Sequence, residues 1–230
     1  MKKGDLRKQE ILDTAEQLFC RNGYEDTSIQ DILDRLKSSK GSFYHHFSSK
    51  ESLLEGICRR RAEQIYTAVS SAYDEAACTV MNLDLLLSGM IPLRDEKLSF
   101  LLMFIPIFQL PEGIMVRTAY CDALSELFFP GVCRLLETGH KKGEFICTEP
   151  DITAGLVLSI VNKLWTEICA MIISAEDKKA ETDVSDLLRF ADCYRLTIER
   201  IISLPYGSLT LVDITMLRQL TEQIHNHWKQ

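Results

Sequence analysis

Apolar residues recur along this chain at helical spacing almost throughout. Ile11, Leu12, Ala15, Leu18 and Phe19 fall at i, i+1, i+4, i+7 and i+8, one face of a first helix. "RNG" at 21–23 supplies its stop, since glycine accepts a left-handed cap. A short second helix follows, with Thr27 as its expected N-cap, Gln30 completing a capping box, and Ile29, Ile32, Leu33 and Leu36 as its stripe. Lys37 and Ser38 break that pattern. A third helix starts near Ser39, with Phe43 and Phe47 four apart on one buried face. "SSKE" at 48–51 reads as a further capping box, opening a fourth helix that turns Leu53, Leu54, Ile57, Cys58, Ile65 and Val69 inward.

Beyond residue 75 the spacing predicts long helices over about 97–109, 114–140, 151–174, 184–203 and 213–227. Breaks are expected near Asn82, 92–95, 111–113, 139–150, 175–183 and 204–210. No strand-like alternation and no internal repeat stands out. The reading is all-α, with a small N-terminal domain over 1–50 and a larger helical bundle over 51–230. Within the bundle, 204–230 forms an additional C-terminal helix: Ile214, Leu217, Thr221, Ile224 and Trp228 keep helical spacing.

Composition adds little to this until charge is placed along the chain. The 46% apolar and 26% charged content is ordinary for a globular protein with a buried core. The net charge is -7, yet residues 1–61 balance at +2 and 62–230 at -9. A nucleic-acid surface is therefore permitted at one end. The longest apolar run, 100–108, contains Pro106 and falls short of a membrane span. The basic start "MKKGDLRK" leads into no apolar signal region, so a cytoplasmic protein with no membrane partner is expected. Eight dispersed cysteines without a C-x-x-C pair read as reduced, mostly buried thiols. His45 and His46 are adjacent, point apart on a helix and lack a ligand at metal spacing. Neither a metal nor a cofactor is expected.

The densest chemistry lies in "SSKGSFYHHFSSKESLL", 38–54. Helix, turn and helix over 28–47 fit helix-turn-helix geometry, in which the second helix enters the DNA major groove N-terminal end first. Gly41 allows close approach, Ser39 and Ser42 offer hydroxyls, and Lys40 offers a cation for a phosphate or a guanine edge. Tyr44, His45 and His46 lie opposite the Phe43–Phe47 face, available to phosphates or bases. Thr27, Ser28, Ser39, Ser49 and Lys50 mark three helix starts, which favour phosphate. Capping serines and a solvated histidine pair also occur at the end of any helical bundle, so spacing leaves both readings open.

The motifs narrow that choice. A-x-x-L-F at 15–19, N-G-Y at 22–24, T-S-I-x-D-I at 27–32, S-K-G-x-x-Y-x-H-F at 39–47 and S-K-E-x-L-L at 49–54 occur in order. This segment resembles the N-terminal domain of the TetR family of transcriptional regulators. The resemblance implies an all-α homodimer that binds a roughly palindromic operator and is released by a small effector, most often as a repressor. It implies that Thr27 and Ser28 contact phosphate, that Lys40, Gly41 and Ser42 face bases, that Tyr44, His45 and His46 meet backbone or base edges, and that Lys50 takes a phosphate. Where the family usually has glycine in the turn, this chain has Lys37, which is expected to adopt a positive φ.

The pair 151–174 and 184–203 resembles the family's dimerisation helices, with Ala154, Gly155 and Ser159 permitting close packing. Candidate effector-lining residues are Met103, Phe104, Phe108, Tyr120, Phe128, Trp165, Cys169 and Met171, a soft and aromatic set that suits an apolar or aromatic ligand. The rival readings are an all-α enzyme and a helical interaction module. No base–nucleophile pair, carboxylate cluster or phosphate-binding glycine loop supports the first, and intact Lys40, Gly41, Tyr44 and Lys50 argue against the second.

Overall fold

Nine helices account for the secondary structure of the described residues, which in this computed structural model are 3–92, 111–178 and 182–228. They are α1 (Lys3–Asn22), α2 (Ile29–Leu36), α3 (Lys40–Tyr44), α4 (Lys50–Ser71), α5 (Thr79–Met90), α6 (Pro111–Lys142), α7 (Pro150–Asp177), α8 (Val184–Ile201) and α9 (Ile214–Trp228). The expected helix over 97–109 lies outside the described residues. The chain divides into two compact units, one of Met1–Ala62 with Ser99–Ala123, the other of Glu63–Leu98 with Leu124–Gln230. This division falls after Ala62, within α4, whereas the sequence reading expects a small N-terminal domain over 1–50. The reason is that the first turns of α4 belong to the first unit's core: Leu53, Leu54, Ile57, Cys58 and Ala62 are fully buried.

In the first unit the apolar stripes do what their spacing requires. Ile11, Leu12, Ala15 and Phe19 of α1, Ile32 and Leu33 of α2, and Phe43 and Phe47 pack together out of water. Buried Glu16 ties α1 to α4. One of its oxygens meets Arg60 Nη2 at 2.5 Å and the other meets Arg61, while Arg60 Nη1 reaches Asp13 at 2.5 Å.

In the second unit α7 packs on α8, and α9 lies against both. The additional C-terminal helix is thus present, and Met216, Leu217, Leu220 and Ile224 cover apolar surface of this chain. The loop leading into α9 is anchored at two carboxylates. Asp84 accepts from the Thr210 and Leu211 N–H groups at 2.8 and 3.1 Å. Glu199 accepts from Gly207 and Leu209 N–H at 3.2 and 3.0 Å.

Three expectations need correction here. Asn82 does not break a helix but sits inside α5, buried, donating Nδ2 to the Asp74 carbonyl at 2.7 Å. A polar residue read as punctuation is in fact the anchor of the preceding loop. α7 is long and apolar enough to cross a membrane by length and composition, which the sequence reading found nowhere; more than half of that segment is buried inside the protein, as in a core helix. Of the eight cysteines, all free, only Cys58, Cys147 and Cys169 are buried, whereas Cys20, Cys78 and Cys193 are exposed. Desolvation pushes the Cys58 thiol far up and the partly buried Cys121 thiol to about 12, so both stay protonated and unreactive.

Candidate nucleic-acid interface and effector region

The surface around α3 is built by its flanking caps. Gly23 closes α1 at φ 87°, with its N–H bonded to the Phe19 carbonyl at 3.0 Å. Thr27 is not the cap of α2. It is fully buried, and its hydroxyl donates to the Gly23 carbonyl at 2.8 Å, holding the 23–28 loop. The cap is Ser28, one residue later: its Oγ accepts from Asp31 N at 3.1 Å and its N–H donates to Asp31 Oδ2 at 2.7 Å. The Ser28 hydroxyl also donates to Asp31 Oδ2 at 2.6 Å, and this bond first, the Ser28 N–H second, holds the Asp31 carboxyl below its usual range. Thr27 therefore has no exposed hydroxyl for a phosphate, and the Ser28 hydroxyl and N–H are already engaged by a carboxylate.

α2 ends as the sequence anticipated. Lys37 adopts φ 48°, ψ 47°, the left-handed conformation, and its N–H bonds to the Asp34 carbonyl at 3.2 Å. The Ser38 N–H reaches back to the Leu33 carbonyl at 2.9 Å, completing the two-bond closure of a Schellman cap. A side chain in this conformation costs about 1 kcal/mol relative to glycine. Lys37→Gly is accordingly expected to raise unfolding free energy by about 0.5–1 kcal/mol, measured by urea denaturation. Unchanged or lowered stability would contradict the strain.

α3 spans five residues, capped by Ser39, whose Oγ lies 3.4 Å from Ser42 N. Phe43 is fully buried, edge-on to Tyr44 at 5.3 Å and tilted against Phe47 at 6.0 Å. Ser39, Lys40, Gly41, Tyr44 and His45 are exposed, and Ser42 and His46 half-buried. A Cβ added at Gly41 would meet only Ser39 Oγ, at 4.0 Å. The fold itself does not demand a glycine there; the open space faces outward. Lys50 lies over the Tyr24 ring at 4.0 Å with its ammonium 3.4 Å from the Glu25 carbonyl, so it braces the 23–28 loop. The cap of α4 is Ser49 rather than Ser48, exchanging bonds with Ser52 at 3.1 and 3.0 Å.

Sequence reasoning missed α1's share of this surface. Arg7 Nε points to Ser42 Oγ at 3.4 Å, and the Lys8 ammonium sits 5.8 Å from the Phe47 ring centre. The signal was present in "MKKGDLRK", which was weighed only as a possible leader.

The expected effector-lining residues scatter. Met103, Phe104 and Phe108 lie outside the described residues. Tyr120 is buried in the first unit. Phe128, Trp165 and Cys169 are fully or almost fully buried in the second. Trp165 is a core residue: its Nε1 donates to Asn162 Oδ1 at 3.3 Å, and Asn162 in turn bonds Ser125 at 2.8 Å. A cavity of about 180 Å³ in the second unit is lined instead by Tyr66, Ser70, Tyr73, Glu75, Leu86, Gly131 and Arg134. None of the expected residues lines it, although Phe128 backs the Tyr66 ring edge-on at 5.2 Å.

Residues 11–57 match the family model described as bacterial regulatory proteins, tetR family. The chain carries a TetR-family N-terminal domain. Over 142 residues, 60% of this chain and 68% of the other, it is 29% identical to the HTH-type transcriptional repressor KstR2 of Rhodococcus jostii (strain RHA1). Two solved structures share the fold. RolR in complex with resorcinol superposes with TM-score 0.58 at 14% identity, covering 96% of each chain. A putative transcriptional regulator from Saccharomonospora viridis in complex with choline superposes with TM-score 0.53 at 22% identity, covering 85% of this chain and 96% of that one. The described helices thus share the fold of these two regulators, and residues 11–57 match the tetR family model.

Proposed function

We propose that this TetR-family regulator is a repressor that binds a roughly palindromic operator as a homodimer and releases it when a small molecule binds the second unit. The observation that carries the DNA contact is the α2–turn–α3 unit, whose outward face gathers Ser39, Lys40, Gly41, Ser42, Tyr44, His45 and His46 around a fully buried Phe43. Lys40 and Ser42 suit base edges or phosphate, and Tyr44, 54% exposed on a rigid edge-packed ring, suits the backbone. Lys50 acts by bracing the loop as much as by its charge.

The dimer reading rests on α7 and α8. Ile152, Leu156 and Met171 are exposed along one side of α7, an apolar stripe that a second copy would cover. Gly155, where an added Cβ would meet nothing within 4 Å, leaves room for close approach, whereas Ala154 is fully buried and serves this chain's own core. A two-fold dimer places two recognition helices about one DNA turn apart, hence the palindrome.

The effector reading rests on the cavity. Tyr66, Tyr73 and Leu86 favour an apolar or aromatic body, and Glu75 and Arg134 offer a polar group somewhere to bind. Two similar folds hold small molecules, resorcinol in one and choline in the other, which supports a small ligand.

The test is binding of the purified protein to DNA upstream of its own gene at two salt concentrations. Affinity is expected to fall by about tenfold or more for each doubling of salt, as released counterions dictate for several phosphate contacts per dimer. Salt-independent binding, or none to this DNA and none to a random-sequence pool, would overturn the reading.

A further inference from the structure

A side chain of α1 reaches α3 with a directed bond. Arg7, on the second turn of α1, donates its Nε–H to Ser42 Oγ at 3.4 Å. Its Nη1 is held by Glu10 Oε2 at 2.6 Å, one turn along the same helix, which gives the guanidinium a fixed aim. Ser42 stands near the N-terminal end of α3, the end that leads into a groove. The Ser42 backbone N–H is committed to the Ser39 carbonyl and hydroxyl, at 3.1 and 3.4 Å. Its hydroxyl differs from others on the helices. Those of Thr67, Thr118 and Ser159 turn back and donate to carbonyls four residues earlier in their own helices. Among the described residues, the Ser42 hydroxyl receives from Arg7 and gives its own proton to no such carbonyl.

A serine hydroxyl has one proton to give and two lone pairs, whereas a guanidinium only donates and keeps its charge. With a cation on one lone pair, the Ser42 hydroxyl is left to give its proton outward. The same positive charge disfavours a second donor at the remaining lone pair. Resting on the DNA-binding reading above, we propose that Arg7 is a positioning residue that determines base specificity: it fixes Ser42 as a proton donor toward the major groove, so that Ser42 selects a base edge presenting an acceptor and rejects cytosine. Guanine offers N7 and O6, adenine N7 and thymine O4, while cytosine offers only its N4 amino donor. Arg7 does this without touching DNA. Glu10 already meets part of its charge, which suits positioning better than a phosphate contact.

The experiment selects duplexes from a random-sequence pool with the full chain as wild type, Ser42→Ala, Arg7→Met, Arg7→Gln and the Arg7→Met plus Ser42→Ala double variant. Thermal melts check that each folds. Ser42→Ala should relax base preference at one position of the selected site. Arg7→Met should relax the same position, lowering the affinity ratio between the favoured base and cytosine by about three- to tenfold. Arg7→Gln removes the charge but keeps an N–H donor at the place of Nε, so it should retain most of the preference. In the Ser42→Ala background, Arg7→Met should alter no further preference. The proposal is overturned if Ser42→Ala relaxes no position, if Arg7→Met leaves the preference intact, or if Arg7→Gln loses it as fully as Arg7→Met. It is equally overturned if Arg7→Met weakens all sequences alike with a salt slope lower by about two per dimer, which would make Arg7 a phosphate contact. In each of those cases duplexes are still selected and the DNA-binding reading stands. If the wild type selects no duplex at all, the reading beneath the proposal has failed.

Discussion

Replacing Lys40 and Tyr44 together by alanine is expected to weaken DNA binding by on the order of a hundredfold or more, with no loss of fold. Both side chains are exposed, and the apolar anchor of the recognition segment is Phe43, which the change leaves in place. The loss should therefore appear in affinity and not in stability. If Lys40 meets a phosphate, each subunit loses one such contact, so the salt slope of a dimer should drop by about two. If it reads a guanine edge, the slope should hold and sequence preference should relax instead. Gly41→Ala makes a sharper companion: the added methyl has open space in the free protein and improves helix propensity. Weakened binding in that variant, with unchanged or raised stability, would mark the close approach of DNA to the α3 backbone. Filter-binding or anisotropy titrations decide it, and wild-type affinity in the double variant would remove α3 from the interface.

The largest effect on stability is expected from Glu199→Ala, about 3 kcal/mol of unfolding free energy. Glu199 is 1% exposed and accepts both bonds from Arg195 Nη1, at 2.8 and 2.9 Å, in addition to the Gly207 and Leu209 N–H groups. Truncation leaves those two N–H groups without their acceptor. It also leaves Arg195, itself 6% exposed, leaning on Asp192 at 3.1 Å and on Tyr206, whose ring lies at 4.7 Å. The pair itself adds little relative to apolar replacements, because desolvation offsets attraction; what costs is breaking it from one side. Glu199→Gln, which can still accept from the loop, should cost less. Urea unfolding measures both, and hydrogen exchange should quicken at Leu209 in the alanine variant. A loss under about 0.5 kcal/mol would show that the loop does not depend on this carboxylate.

The sequence alone determined the helices of the first unit, their apolar faces and the strained turn at Lys37. Each of these depends on residues within a few positions of one another. Glycine or its absence fixes a cap, and a period near 3.6 fixes a face. Local caps were legible to within one residue: Thr27 and Ser48 carry the right chemistry, but Ser28 and Ser49 do the capping. Which of two neighbouring hydroxyls caps depends on which one the core buries, and Thr27 goes inward because the 23–28 loop folds over α1's end.

Only the tertiary structure decided the rest. Asn82 became an anchor, Arg7 and Lys8 joined the α3 surface, and Glu199 gathered a loop eight to ten residues away. Tyr120, Phe128 and Trp165, expected to line an effector site, are buried, and a cavity lies among Tyr66, Tyr73 and Arg134. A cavity is bounded by side chains from separate helices, and no spacing within one helix reveals which of its inward residues leave a gap. Periodicity marks the face that turns away from water; what that face meets is set by the helices packed against it.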